Sequence, residues 1–165
     1  ESPYAESKWK GEQLIAQMES ADGVSLRFFN VFGQRQDPNS QYAAVVSVFQ
    51  DALRNNCTPI IFGDGNQTRD FTPVQNVVHA MLLAGACPRP LHGEVFNVGT
   101  GTSLSLNELL QAMAHDENVQ AVHEEPRVGD VQHSQADITL ITEVLGYSSI
   151  IETRQALADL VNPRR

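Results

Sequence analysis

Tyr4 and Lys8 stand four residues apart in "YAESK", at the start of a segment with good helix propensity. On a helix that spacing puts both side chains on one face, with Cβ atoms about 5–6 Å apart. An ammonium group there favours phenolate. Free tyrosine has a pKa of about 10, so phenolate near neutral pH needs roughly 4 kcal/mol of stabilisation. Lys8 and a cationic cofactor ring would share that work. Such a phenolate can take a proton from a hydroxyl group while a hydride leaves the same carbon. The plainer alternative is an exposed tyrosine beside a solvated lysine on a surface helix.

The rest of the chain narrows the chemistry. Its 165 residues fit one domain, and 41% are apolar, enough for a core. The net charge is −9. That argues against nucleic acid and anionic membranes as partners, since both need a basic surface. A small anionic ligand needs only two or three placed arginines and stays open. Cys57 and Cys87 lie far apart with no CxxC, which suits a reducing, cytoplasmic setting. The histidines (79, 92, 115, 123 and 133) show no ligand spacing, so no metal site is expected. No stretch is long and apolar enough to span a membrane.

The elements that must position these residues alternate. "PYAESKWKGEQLIAQMES" reads as a helix with a stripe of Trp9, Leu14, Ile15 and Met18. "VSLRFFNVFG" reads as one buried strand, "QYAAVVSVFQDALRNN" as a helix and "TPIIFG" as a short strand, followed by a polar loop "DGNQTRD". A helix entered through Pro73, a strand "GEVFNVG" and a helix with a Ser105–Glu108 capping box follow. "QAVHEEP" is an edge strand, and two short helices close the chain, with Asp137 and Glu152 favouring their N-termini. This is α/β order with a parallel sheet. Four strand candidates are few for a doubly wound sheet. "VSLRFFNVF" and "EVFNV" look like interior strands wanting neighbours on both sides, so the sheet reads as incomplete.

Five stretches occur in a telling order: "PYAESKWKGEQL", "LRFFNVFGQRQDP", "GDGNQTRDF", "FNVGTG" and "PRVGDVQHSQADI". Together they resemble the C-terminal half of the extended short-chain dehydrogenase/reductase family, the NAD-dependent epimerases and dehydratases. Within it the likeness is to nucleotide-sugar 4-epimerases, bacterial UDP-N-acetylglucosamine 4-epimerases most of all. The resemblance covers essentially the whole chain. It implies the C-terminal part of an NAD(P)-binding Rossmann-like fold (1–36 and 70–102) with a small α/β substrate-binding part (37–69 and 103–165). It also implies a role for each site residue. Tyr4 would be the catalytic base, and Lys8 its electrostatic partner and a ligand of the nicotinamide ribose, so both bind NAD. Asn30 and Arg69 would contact the diphosphate of a UDP-sugar, and Arg127 and Asp130 would clamp phosphate and the uridine ribose. Two arginines and an amide suit a dianion in an otherwise acidic chain. The alternatives are an Arg69 ion pair with Asp70 or Asp64, an Arg127 pair with Glu125 or Asp130, and a turn cap at Asn30. Phe62 reads as core, with contact to the uracil as the alternative.

The resemblance also implies that Ser134 lines the sugar pocket. A small residue there leaves room for a 2-N-acetyl group, where an aromatic would exclude it by steric repulsion. The expected substrates are therefore UDP-N-acetylhexosamines, with plain UDP-hexoses also admitted. The alternative is an ordinary polar loop residue. "GTG" at Gly99–Gly101 reads as a tight turn, because Leu104 stands where a coenzyme loop would need its third glycine. The acidic stretch "HDENVQAVHEE" reads as a solvated edge.

The family's glycine-rich coenzyme loop, its adenosine-ribose acid and its Ser/Thr lie upstream of the YxxxK motif and are not among these 165 residues. Without a glycine-rich turn a pyrophosphate has no cradle. The expectation is that this stretch alone does not turn over substrate, and that it is a fragment of a longer enzyme, pairs with a separate N-terminal half, or is a truncated relative that self-associates over its open edge. Rivals are a nucleotide-sugar 4,6-dehydratase or decarboxylase of the same family, and a non-catalytic nucleotide-sugar-binding or interaction module.

Overall fold

The computed structural model describes residues 3–19, 21–37 and 45–161. The first helix, α1 (Pro3–Ala16), begins at a proline, which has no amide to leave unsatisfied there. None of its residues is buried, and Trp9 and Leu14 of the expected stripe face solvent. Two devices hold α1 to the body. Arg27 donates to both carboxylate oxygens of Glu12, at 2.7 and 2.6 Å. Gly23 and Gly93 approach Ile15 and Ala16 so closely that a Cβ on either would clash. The guanidinium beside Glu12 holds its carboxyl below the usual carboxylate range.

The stretch expected as one strand is two. β1 (Ser25–Phe28) pairs in parallel with β6 (Val95–Val98), in the register Ser25 to Val95. β2 (Asn30–Phe32) pairs in parallel with β5 (Phe71–Pro73). The switch falls at Phe29, whose amide donates to Val98 while the next amide, of Asn30, donates to Asp70. Each half therefore has one partner strand among the described residues, and Phe28 stays half exposed. The expected interior environment is absent on that side.

Two further pairs complete the strand set. β3 (Ile60–Phe62) runs parallel to β8 (Val122–Glu124), the expected edge strand, whose residues are all exposed. β4 (Thr68–Arg69) lies antiparallel to β7 (Leu104–Ser105), inside what reads from sequence as a loop. Strands of two and three residues leave no alternation to detect, which is why eight strands stand among the described residues where four are legible.

The helices are α2 (Val45–Arg54), α3 (Val74–Gly85), α4 (Leu106–Ala114), α5 (Thr139–Leu145) and α6 (Thr153–Val161). The part of the second expected helix before Val45 lies outside the described residues. Pro73 ends β5 and enters α3 with φ −54°. Asp137 accepts the amide of Thr139, and Glu152 accepts those of Arg154 and Gln155. Both carboxylates thus satisfy amides left free at helix starts.

Apolar faces gather into two cores. One packs Phe32, Phe49, Ile61, Phe71, Leu109 and Leu157 between α2, α4, α6 and the strands beside them. The other packs Val77, Leu91, Phe96, Val98, Ile141 and Tyr147 against β1 and β6. Gln50 and Arg54 bind the carbonyl of Leu160, tying α2 to α6.

The expected capping box at α4 is formed in full, with Ser105 and Glu108 satisfying each other's amides. The Ser105 amide holds the Glu108 carboxyl below its usual range. A lowered folded-state value means that the contribution is present above the ordinary carboxylate value, about 4.3, and is lost as pH falls through the folded value. Glu108→Gln is expected to lower the melting temperature at pH 7, with the difference from wild type shrinking below about pH 4. Ser105→Ala is expected to cost about 1 kcal/mol. Thermal melts across that pH range check both.

Candidate functional site

β2, β3 and β4 bring a set of polar side chains to one side of α2. The result is a cavity of about 230 Å³. Its apolar wall includes Val45, Val48, Phe49, Phe62 and Leu106, and its polar lining is Asn30, Gln67, Arg69, Arg127 and Asp130. Four residues expected to bind substrate, far apart in the chain, thus share one cavity.

The surrounding loops fix their positions. The Gln67 amide donates to the Phe62 carbonyl at 2.7 Å and closes the Gly63–Gln67 turn. Asp64 caps Asn66, and Asn107 on α4 donates to the Asp64 carbonyl. Gly65 has φ +77°, and a Cβ there would meet the Asn107 side chain. Only glycine meets both conditions.

Arg69 donates through Nη1 to the Thr68 carbonyl and through Nη2 to Asp130. Its partner is therefore neither Asp70 nor Asp64. The Arg127 guanidinium lies over the Phe62 ring, 4.1 Å from its centroid. That is a cation–π stack and not a salt bridge to Glu125 or Asp130. Phe62 is half buried and belongs to neither core, which corrects its reading as a core residue. Two guanidinium groups face one carboxylate here, so the cavity carries an excess of positive charge within an acidic chain. With an aromatic face beside them, they suit a phosphorylated ligand that carries a planar ring.

Ser134 is not in this lining. It is half buried, and its amide donates to the Thr68 carbonyl at 3.0 Å. The neighbouring His133 also meets Thr68, through its ring nitrogen and a backbone bridge. Ser134 therefore lies beside β4, next to the residue that precedes Arg69.

Tyr4 and Lys8 share a face of α1 as expected. The Lys8 ammonium sits 5.3 Å from the Tyr4 ring centroid, and Tyr4 is 71% exposed. They line a second, open groove of about 820 Å³ between α1 and β1, with Glu12, Arg27 and Phe28. Ser25 forms part of its wall and has a buried hydroxyl without a hydrogen-bond partner among the described residues. The groove and the cavity share no lining residue, although Phe28 in one and Asn30 in the other are two residues apart.

Sequence reasoning missed Asp70. It is 0% exposed, and its carboxylate accepts from the amides of Thr100, Gly101 and Ala136. The "GTG" turn is thus a tight turn as expected, and it is built around a carboxylate. The alternation of Arg69, Asp70 and Phe71 along an extended stretch is the signal that was available, since neighbours on a strand face opposite ways.

Among the described residues no group of His, Cys, Asp and Glu is arranged to hold a metal. No helix among them is long and apolar enough to cross a membrane.

Comparison with known proteins agrees with this architecture. The profile of the NAD dependent epimerase/dehydratase family matches residues 1–99. A putative UDP-glucose 4-epimerase from Methanocaldococcus jannaschii is 39% identical over 98% of the chain. The chain spans about half, 52%, of that relative's length. UDP-glucose 4-epimerase from Thermotoga maritima, solved with UDP-glucose, superposes with a TM-score of 0.86 at 34% identity, over 98% of this chain and 52% of its own. UDP-N-acetylglucosamine 4-epimerase from Methanobrevibacter ruminantium, solved with UDP-N-acetylmuramic acid, gives the same TM-score of 0.86 and 34% identity, over 97% and 52%. The α/β architecture is that of these epimerases, and the chain belongs to the NAD-dependent epimerase/dehydratase family.

Proposed function

We propose that these 165 residues are the substrate-binding half of a nucleotide-sugar 4-epimerase acting on UDP-sugars. The observation that carries this reading is the convergence of Arg69, Arg127, Asn30 and Phe62 on one cavity. Two cations fit a diphosphate, and an aromatic ring fits a base. Asn30 and Arg69 bind the diphosphate, while Arg127 and Asp130 hold phosphate and ribose. The relatives' own ligands, UDP-glucose and UDP-N-acetylmuramic acid, support the class. The two cores follow the division into a Rossmann part and a substrate part only in outline, since Phe32 and Phe71 pack with the substrate part and Ile141 and Tyr147 with the Rossmann part.

In the assembled enzyme NAD supplies the hydride acceptor and donor at C4. Tyr4 and Lys8 are open to solvent and fit a role at the nicotinamide ribose, whereas the amides of Thr100 and Gly101 are committed to Asp70 and offer no pyrophosphate cradle. This chain's own residues do the rest. Tyr4 takes and returns the proton of the 4-hydroxyl, and Lys8 stabilises its phenolate. The arginines tether the diphosphate while the sugar presents each face in turn. Taken alone, the stretch binds a UDP-sugar without converting it.

The separation of groove and cavity favours a second reading, a nucleotide-sugar-binding module without catalysis. Calorimetric titration with UDP-N-acetylglucosamine, followed by product analysis after NAD is added, tests the proposal. Binding that is lost when uridine replaces the nucleotide sugar supports the diphosphate site. Failure of every UDP compound to bind contradicts it. Binding by a chain joined to a glycine-rich N-terminal half, without epimerisation, favours the module.

Ser134 sets the sugar class in this reading. Ser134→Tyr is expected to weaken UDP-N-acetylglucosamine binding about tenfold or more relative to UDP-glucose, by filling the space of the 2-substituent. Paired titrations of the two sugars read the ratio.

A further inference from the structure

We infer that Asp70 is a positioning residue for the diphosphate side of the cavity, a buried anion that sets Arg69 and Asn30 against the segment 133–136. The inference rests on the reading of that cavity as a nucleoside-diphosphate site.

Asp70 is fully buried. One carboxylate oxygen, Oδ1, accepts from the Thr72 hydroxyl at 3.2 Å and from the Thr100 amide and hydroxyl, both at 2.9 Å. The other accepts from the amides of Gly101 at 3.0 Å and Ala136 at 3.2 Å, and shares the Thr100 amide. A buried carboxylate is costly unless its lone pairs are satisfied, and here the donors of three separate segments satisfy them. The paired amides of Thr100 and Gly101 form a small anion-binding concavity. The packing leaves no slack. A Cβ on Gly99 would stand 2.4 Å from the Ala136 methyl and 2.7 Å from Asp70 Oδ2.

The same residue reaches the cavity through its backbone. Its carbonyl accepts the Asn30 amide at 3.1 Å, and its peptide neighbour is Arg69. Because strand neighbours face opposite ways, anchoring the Asp70 side chain inward fixes the direction in which Arg69 leaves β4. Ala136 continues the segment whose Ser134 amide binds the Thr68 carbonyl, so that segment is fastened on both sides of Arg69. Gln135 adds a third tie, donating to the Gly101 carbonyl at 2.7 Å.

Asparagine has nearly the shape of aspartate but turns an NH₂ toward donors, so Asp70→Asn sets N–H against N–H in this cluster. The test compares the affinity of the 165-residue chain for UDP and for uridine. In Asp70→Asn, measured well below its melting temperature, the UDP-to-uridine affinity ratio is expected to fall about tenfold or more, with uridine binding little changed. Tyr147→Phe is the control. It removes the hydroxyl that donates to the Gly99 carbonyl, a bond of the same turn that does not involve the Asp70 carboxylate. It is expected to lower stability and leave the ratio unchanged. An unchanged ratio in Asp70→Asn, or an equal loss of UDP and uridine binding, overturns the inference. If Asp70→Asn does not fold, Thr100→Val, which removes one hydroxyl donor to Asp70 and the acceptor of the Thr102 amide, is expected to lower the ratio by a smaller factor, and no change there overturns it. Wild-type chain that binds no UDP overturns the reading of the cavity and this inference with it.

Discussion

Replacing Arg69 by alanine is expected to weaken UDP binding by about one and a half to three orders of magnitude. The guanidinium is held by the Thr68 carbonyl and Asp130, and its side chain is mostly buried. A partly buried guanidinium that makes forked, charge-assisted hydrogen bonds to a phosphate contributes roughly 2–4 kcal/mol, and about 1.4 kcal/mol is a factor of ten. The substitution also removes the partner of Asp130, leaving its carboxylate in a cavity where Arg127 is the remaining cation. Lysine should rescue little, because a single ammonium cannot make the forked contacts. Arg127→Ala should lose less, about tenfold, since that side chain stacks on Phe62 without a carboxylate partner. Titration calorimetry with UDP, and with uridine as the phosphate-free control, reads all three. An Arg69→Ala chain with wild-type UDP affinity would remove the diphosphate from this cavity.

Phe49→Ala is expected to cost about 3–5 kcal/mol of stability, a large share of the 5–15 kcal/mol typical of a domain. Phe49 is 0% exposed and belongs to the core that includes Phe71, Leu109 and Leu157. Its ring also forms part of the cavity wall. Removing it leaves a void that α2 cannot close, because Gln50 and Arg54 pin that helix to the Leu160 carbonyl. The loss is read as a lowered midpoint in urea denaturation with an unchanged slope. A change below about 1 kcal/mol would mean that α2 packs differently from the description above.

The helices were legible because each carries a local signal. The Ser105–Glu108 box, Pro73 before α3 and the acids before α5 and α6 act over one turn and need no distant partner. The strands were legible where apolar residues run on, as in β1, β3 and β6, and at the edge strand β8. β4 and β7 have two residues each, and their pairing joins positions 68 and 105, so the information lies in the contact and not in either segment. The break at Phe29 was hidden for the same reason, since which carbonyl each amide finds depends on β5 and β6. In the candidate site, the family resemblance pointed to Asn30, Arg69, Arg127 and Asp130, and the structure brings these four to one cavity. Their partners were not legible. Arg69 finds Asp130 sixty-one residues away, while its neighbour Asp70 turns inward to a turn thirty residues on. Ser134 and the Tyr4–Lys8 pair lie outside the cavity, a separation that spacing along the chain does not report.

The central claim is that a nucleoside diphosphate occupies the cavity between β2, β4 and the loop carrying Arg127. Titration of the ¹⁵N-labelled chain with UDP, followed by amide chemical shifts, addresses it directly. Saturable shifts centred on Asn30, Phe62, Gln67, Arg69 and Arg127, with α1 unmoved, are the expected result. No saturable shift, or shifts confined to the groove beside Tyr4 and Lys8, would contradict it.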